Sequence, residues 1–324
     1  MRKKFKYAPN NLGFLRVTIR IKALFLHYFL FLPMKTVPKF TIIHPYKTVG
    51  GGDHRFRIAA LALFLVFAFT FFLNLIATRD AAAAQSQLPE AIADALLYYA
   101  SANITSRMSP AEMESVASVL RRCAAPCNLL VFGLTHETLL WNALNHGGRT
   151  VFVDEHSFSV TRIEEQHPSI EAYDVRFTTK VRELRDLIEN FEREIEEECR
   201  PVQNLLFSDC SLAVNDLPNY MYDVAWDVIV IDGPSGYSSE SPGRMASIFT
   251  AGVMARSRNG GGGTHVFVHE MQRQVESVCT DLFLCRENLV ERVDLLGHFL
   301  VRKMGGPTNT FGFCSHPSLS TNLI

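Results

Sequence analysis

The chain of 324 residues has almost no net charge, its 32 Lys and Arg balancing 33 Asp and Glu to a formal −1. That balance leaves no global electrostatic footprint for nucleic acid, and no nucleic-acid partner is expected. No Walker-type phosphate loop is present, and no serine elbow with a His/Asp pair. The Asp-x-Asp motif with which processive glycosyltransferases often hold a metal is also absent, which argues against a sugar-nucleotide transferase. GxGxxG is missing. So are an internal repeat and a Cys/His cluster close enough for zinc.

What is there suits one sizeable α/β domain plus an anchor, since 48% of the residues are hydrophobic. The charges are unevenly placed. Before residue 58 they are almost all basic, from Arg2 to Arg57, with only Asp53 opposing them. Ile58–Ala77 (IAALALFLVFAFTFFLNLIA) then carries no charge, and at about 1.5 Å per residue it spans roughly 30 Å, a bilayer's hydrocarbon thickness. No convincing cleavage site precedes Arg79, so the stretch reads as an uncleaved anchor rather than a signal peptide. The basic excess places residues 1–57 in the cytoplasm and the rest in a lumen. Leu15–Pro33 is either an interfacial amphipathic segment or lies upstream of a natural start at Met34; the second reading leaves a compact basic tail and is preferred. The expected organisation is a cytoplasmic tail (1–57, with 1–33 upstream of Met34), an anchor (58–77), a stalk (78–88), a lumenal domain (89–304) and a loose tail (305–324). All seven cysteines lie beyond the anchor, where disulfides are permitted. Cys199–Cys210 is the first candidate bridge, and the odd count leaves a thiol unpaired. Asn103-Ile104-Thr105 is a glycosylation sequon that agrees with a lumenal face.

Hydrophobic periodicity predicts helices over Pro89–Ser101 and Pro110–Cys123, the latter capped by Ser109. Short apolar runs follow at Asn128–Phe132, Thr150–Val153, Ile170–Val175, Trp226–Ile231 and His265–Val268, with a sixth at Val293–Val301. Between them lie helical stretches, including Ser157–His167, a long amphipathic one over Val181–Glu198, and Gly243–Arg256. Strands alternating with helices predict a doubly wound parallel sheet, whose ligands bind at the carboxyl ends of the strands.

Those ends hold the candidate residues. Gly133 opens the first turn and lets backbone approach a ligand; Thr135, His136 and Glu137 continue it into a helix N-terminus. Asp154 or Glu155, about 20 residues on, is placed to accept from ribose hydroxyls, a geometry shared by methyl-donor and dinucleotide sites. Either acid can equally be a helix cap. Asp232 heads a turn running to Tyr237, and Asp232 or His269 is a candidate base for in-line methyl transfer to a sugar hydroxyl. Arg244 suits a substrate carboxylate. Each has a plainer reading: a loop cap for Asp232, a core histidine for His269, an ion-paired arginine for Arg244. His265, His269 and Glu270 lie on a strand, too widely spaced to share a metal comfortably, and no metal is expected.

The blocks Asn128–Glu155, Glu198–Cys210, Trp226–Tyr237, Pro242–Arg256, Thr264–Glu270 and Phe283–Leu289, in that order and spacing, resemble the plant polysaccharide-biosynthesis family (domain of unknown function 579) that contains glucuronoxylan 4-O-methyltransferases and the irregular xylem 15-like proteins. The likeness covers about residues 88–304. It implies a Rossmann-like, S-adenosylmethionine methyltransferase-like fold in a Golgi protein needed for xylan deposition in secondary walls. Xylan or glucuronoxylan and the Golgi xylan synthesis proteins are the partners it implies. The match is closer to the irregular xylem 15-like branch, for which no catalytic activity is settled. Where the methyltransferase branch reads GLGHDS this chain has Gly133-Leu134-Thr135-His136-Glu137-Thr138, and its Asp232–Tyr237 turn replaces a DAPTGY-type turn. Thr135 therefore stands where a glycine would pass close to the methyl donor. Two functions follow: a Golgi factor for xylan synthesis without catalysis, or an S-adenosylmethionine-dependent O-methyltransferase acting on xylan glucuronic acid, with Asp232 and His269 catalytic, Tyr237 and Arg244 on the substrate, and the Gly133 turn with Asp154 and Glu155 on the cofactor.

Overall fold

The computed structural model describes residues 58, 61–73, 88–102, 107–124, 126–304 and 312–315. The basic tail, the Met34 start, most of the stalk, the Asn103 sequon and most of the expected C-terminal tail lie outside these residues. Of the expected anchor, Ile58 and residues 61–73 are described; they are helical and exposed. Among the described residues no helix is long and apolar enough to cross a membrane.

The domain is a seven-stranded sheet flanked by helices. Its strands are β1 (Asn128–Phe132), β2 (Arg149–Asp154), β3 (Glu171–Asp174), β4 (Val228–Ile231), β5 (Gly263–Val268), β6 (Leu289–Val293) and β7 (Leu296–Arg302), in spatial order β3-β2-β1-β4-β5-β7-β6. The first five are mutually parallel. Strand order reverses between β1 and β4, which are neighbours, and that is the switch point where ligands of open α/β sheets bind.

A fully parallel sheet was expected, with one strand over Val293–Val301; the sheet is mixed instead. β6 and β7 form a hairpin through Asp294 and Leu295, and β7 runs antiparallel to β5. A two-residue turn leaves no room for a crossover helix, so the pair must be antiparallel. Asp294 takes φ 47°, a conformation that Asp tolerates better than most residues.

The helices are α1 (Glu90–Ser101), α2 (Pro110–Arg122), α3 (Thr138–Leu144), α4 (Ser157–Gln166), α5 (Leu184–Glu194), α6 (Met245–Ser257) and α7 (Gln274–Cys279). Alternation along the strands makes two cores. Leu130, Phe132, Val153, Ile229, Ile231 and Val268 face α5, α6 and α7, while Leu129, Val131, Phe152, Val230 and Phe267 face α2, α3 and α4. The helix expected over Val181–Glu198 is shorter: a 3-10 turn at Val181–Glu183 leads into α5, which stops at Glu194. The run Glu196-Glu197-Glu198 would stack like charges at the negative end of the helix dipole.

Ser109 caps α2 in a full capping box with Glu112. Cys199 and Cys210 are bonded, as are Cys123–Cys127 and Cys285–Cys314, leaving Cys279 as the buried free thiol.

Candidate functional site at the strand ends

The turn after β1 is closed on itself. Gly133 adopts φ +106°, and a Cβ there would lie 2.9 Å from the Asp232 carbonyl carbon and the Gly233 nitrogen. Gly233 is equally tight, its virtual Cβ 2.7 Å from the Gly133 Cα. Two glycines at the ends of β1 and β4 thus let backbone pack on backbone at the switch point. The turn's amides are bonded within the protein. Gly133 N donates to Val153 O (2.7 Å), Leu134 N to Asp154 Oδ2 (2.7 Å) and Thr135 N to Thr138 Oγ1 (3.0 Å). Glu137 N donates to the Thr135 hydroxyl (3.3 Å), and Thr138 N to Thr135 O (3.2 Å).

The two acids after β2 are engaged in the same way. Asp154 also accepts from His156 N through Oδ1 (2.9 Å), so both its oxygens hold backbone. Glu155 Oε1 accepts from Ser235 N (2.8 Å), tying the β2 end to the β4 turn. Glu137 is buried and accepts from the amides of Arg107 (2.9 Å) and Met108 (3.4 Å). His136 is exposed; with Arg107, Thr135 and Arg162 it borders a cleft of ≈ 480 Å³ between α3 and α4.

A buried charge cluster fills the ends of β4 and β5. Asp232 Oδ1 lies 2.9 Å from His269 Nδ1 and accepts from Arg244 Nη2 at 2.9 Å. Arg244 has no exposed surface and donates also to His269 O (2.6 Å), Asp232 O (3.0 Å) and Glu270 Oε2 (2.8 Å). Burial works against the Asp232 charge, but the His269 hydrogen bond and the Arg244 guanidinium outweigh it and hold the carboxyl below its usual range. On the far side, His269 Nε2 stands 3.6 Å from Glu112 Oε2. Glu112 is itself buried and accepts from Ser109 N (2.6 Å) and Leu295 N (2.8 Å). Asp232 Oδ2 and His269 Nε2 have no hydrogen-bond partner among the described residues.

Asp232, His269 and Glu270 present ligand atoms within 4.8 Å of one another, a cation's spacing. Arg244 supplies the positive charge there, bridging the Asp232 and Glu270 carboxylates.

Gly133, Asp154, Glu155, Asp232, Arg244 and His269 therefore converge on the carboxyl edge, whereas His136 and Tyr237 are exposed and border two different clefts. Tyr237 is 65% exposed, with the guanidiniums of Arg107 and Arg273 5.3 and 4.2 Å from its ring centre. Sequence reading missed Glu112, Arg273 and Glu276. Glu112 carried one signal, its place three residues after Ser109 ahead of an apolar run. The other two stand at the start of a short helix, Arg273 just before it and Glu276 within its first turn, with nothing local to mark them.

A reversed strand order with polar clusters at the carboxyl ends defines an α/β protein built on a mostly parallel, mixed seven-stranded sheet. The chain belongs to the family described as IRX15/IRX15L/GXM, whose model matches residues 111–299. It is similar to two Arabidopsis thaliana proteins, Protein IRX15-LIKE (50% identity, 86% of this chain and 94% of the relative) and Protein IRREGULAR XYLEM 15 (49%, with the same coverage). Glucuronoxylan 4-O-methyltransferase 1 of the same plant is 39% identical over 67% of this chain and 75% of its own length. Among solved structures, a methyltransferase-like protein of Silicibacter pomeroyi DSS-3 is 14% identical, covering 63% of this chain and 91% of its own, with a TM-score of 0.36.

Proposed function

We propose that this chain is a xylan-biosynthesis protein that works on or with the xylan synthesis machinery and does not itself transfer a methyl group. The pathway rests on the similarity to IRX15-LIKE and IRREGULAR XYLEM 15. Placement as a single-pass type II protein of the Golgi membrane, its C-terminal domain in the lumen, is part of the proposal. The uncharged run over Ile58–Ala77 behind a basic tail supports it, as do three disulfides that suit an oxidising lumen.

One observation carries the non-catalytic reading. The amides of Gly133, Leu134, Thr135, Glu137 and Thr138 and both oxygens of Asp154 are satisfied inside the protein. S-adenosylmethionine, the methyl source of related methyltransferases, would draw on amides and an acid of this kind at a strand-end site, and here these amides already bond within the protein and offer it no free N–H.

The competing reading is an S-adenosylmethionine-dependent glucuronoxylan 4-O-methyltransferase, favoured by the buried, unbonded Asp232 Oδ2 and His269 Nε2. Calorimetric titration of the full chain in detergent separates the two. No heat is expected with S-adenosylmethionine at millimolar concentration, and saturable binding overturns the proposal. The Asp232→Asn chain is expected to restore xylan content in a deficient plant; loss of rescue at normal protein abundance counts for the enzyme.

A further inference from the structure

Arg256, near the end of α6, is a buried charge bonded only to neutral groups. It is 2% exposed, and its guanidinium donates to Gly252 O (2.9 Å), Phe283 O (2.8 Å), Phe313 O (2.9 Å) and Cys285 Sγ (3.3 Å), none of them ionised. Buried charges are ordinarily paired, because leaving water without a partner is costly. Burial pulls this guanidinium down to about 10, and the Glu287 carboxylate, itself exposed, counters that only in part. The sulfur that Arg256 touches can supply the missing charge. It belongs to the Cys285–Cys314 bridge, and a Cys285 thiolate in the same place is an ion-pair partner.

The other surroundings of the bridge also suit a dithiol. Cys314 Sγ lies 3.4 Å from Asp281 O and 3.3 Å from Leu282 O. A thiol S–H would donate to these carbonyls, whereas a disulfide sulfur has no hydrogen to give. Cys285 adopts φ 74° and ψ 138°, a conformation that residues with a side chain rarely hold, and such outliers gather at working sites. The two sulfurs differ in access: Cys285 is fully buried, while Cys314 is partly exposed, with the solvated Glu287 nearby. At the other bridges the neighbouring charge opposes a thiolate. Cys199 Sγ stands 3.6 Å from Glu194 Oε2, and Cys123–Cys127 lies beside Asp227. The free thiol of Cys279 is buried, and burial pushes it up, so it stays protonated.

We propose that Cys285–Cys314 is a reversible thiol-exchange site, at which a small-molecule thiol attacks Cys314 and Cys285 leaves as a thiolate paired with Arg256. In the first step the attacking thiolate bonds to Cys314 Sγ while the Sγ–Sγ bond breaks, its electron pair going to Cys285 Sγ. A second thiolate of the reductant then attacks the reductant's own sulfur in that mixed disulfide. Cys314 leaves, takes a proton and donates to Asp281 O or Leu282 O. The protein gains two electrons and the reductant is oxidised to its disulfide. A leaving thiol of lowered pKa departs faster, and attack falls on the accessible sulfur, so Arg256 and burial together set the rate and the direction. Opening the bridge unties residues 312–315 from the turn before β6 and leaves them held through Phe313, which packs on Phe191, Phe249 and Phe283. The inference stands apart from the proposed function and does not depend on it.

The test is graded reduction of the full chain in detergent with dithiothreitol at neutral pH, quenched with iodoacetamide and mapped by peptide mass. Cys285–Cys314 is expected to open at least about tenfold faster than the other two bridges. With glutathione in its place, the adduct is expected on Cys314 and not on Cys285. In the chain opened at this bridge alone, the ultraviolet absorbance of a thiolate is expected to persist at least about two pH units below the ordinary thiol range. Arg256→Gln is expected to abolish that absorbance and to slow opening about tenfold; if this buried substitution prevents folding, the wild-type measurements decide alone. Oxidised glutathione is expected to restore the bridge. Equal opening rates for the three bridges, an adduct on Cys285, thiolate only in the ordinary range, or re-pairing through Cys279 overturns the site.

Discussion

His269 Nδ1 lies 2.9 Å from Asp232 Oδ1, joining the end of β5 to the end of β4 with both side chains almost wholly buried. Resemblance to an acid–base pair is only part of its character. Arg244 donates to the same Asp232 oxygen, and Glu112 stands 3.6 Å beyond the opposite nitrogen of the imidazole. The pair is thus the middle of a line of charge running from α6 through the sheet edge to α2. Removing one member leaves its neighbours buried and unpaired, which costs several kcal/mol. Substitutions here must keep the side chain's shape before activity or abundance can be interpreted.

Acid unfolding should reveal two buried carboxyls acting in opposite directions. Asp232 has a folded pKa depressed below its ordinary 3.8, so its contribution is present above that value and is lost as pH falls through the folded pKa. Glu276 is raised above 4.5, so it favours the fold in acid and loses that contribution as pH rises from its unfolded pKa through its folded one. Asp232→Asn should therefore flatten the acid limb of the stability profile, and Glu276→Gln should raise stability at neutral pH while changing little in strong acid. Urea midpoints across pH 3 to 8 (about the range in which carboxyls finish titrating) check both; a Glu276→Gln chain weaker than wild type at neutral pH contradicts the assignment.

Gly133→Ala should destabilise by about 2–4 kcal/mol, because φ +106° and a Cβ 2.9 Å from backbone both oppose a side chain. Gly261→Ala is the control, since nothing lies within 4 Å of its virtual Cβ. Equal denaturation midpoints for the two variants would remove the close approach of β1 and β4 as a constraint on the turn.

Thr135→Gly is expected not to create S-adenosylmethionine binding. The substitution removes a Cβ and the hydroxyl that accepts from Glu137 N, at a cost of about 1 kcal/mol, but leaves Leu134 N on Asp154. Heat of binding in this variant alone would place the obstruction in the threonine side chain rather than in the hydrogen-bonded turn.

The three disulfides should differ in worth according to the chain they close. Sequence separations of 29, 11 and 4 for Cys285–Cys314, Cys199–Cys210 and Cys123–Cys127 correspond to losses of about 4, 3 and 2 kcal/mol on double replacement by Ser. Chemical denaturation of the three double variants ranks them. Non-reducing peptide mapping should recover Cys279 as the free thiol.

Local pattern carried much of the architecture. Apolar runs such as WDVIVI and NLLVF mark buried parallel strands because both faces of such a sheet are covered, and Ser109-Pro110 with Glu112 marks a helix start. The β6–β7 hairpin escaped because Leu289–Val293 is an edge strand whose exposed residues break the apolar run. Within the candidate site the positions of Gly133, Asp154, Asp232 and His269 followed from the rule that strand ends gather polar residues.

From its order of residues alone, this chain specified its family, the alternation of its parallel strands with helices, and several of the side chains at the carboxyl edge. Those properties depend on periodicity and neighbours a few positions away. What the gathered side chains do was decided by the folded structure: Asp154 turns to Leu134 N across 20 residues, and Arg244 turns inward to His269 O across 25. A buried donor or acceptor must find a partner wherever the fold brings one, and that partner is set by three-dimensional proximity rather than by spacing along the chain.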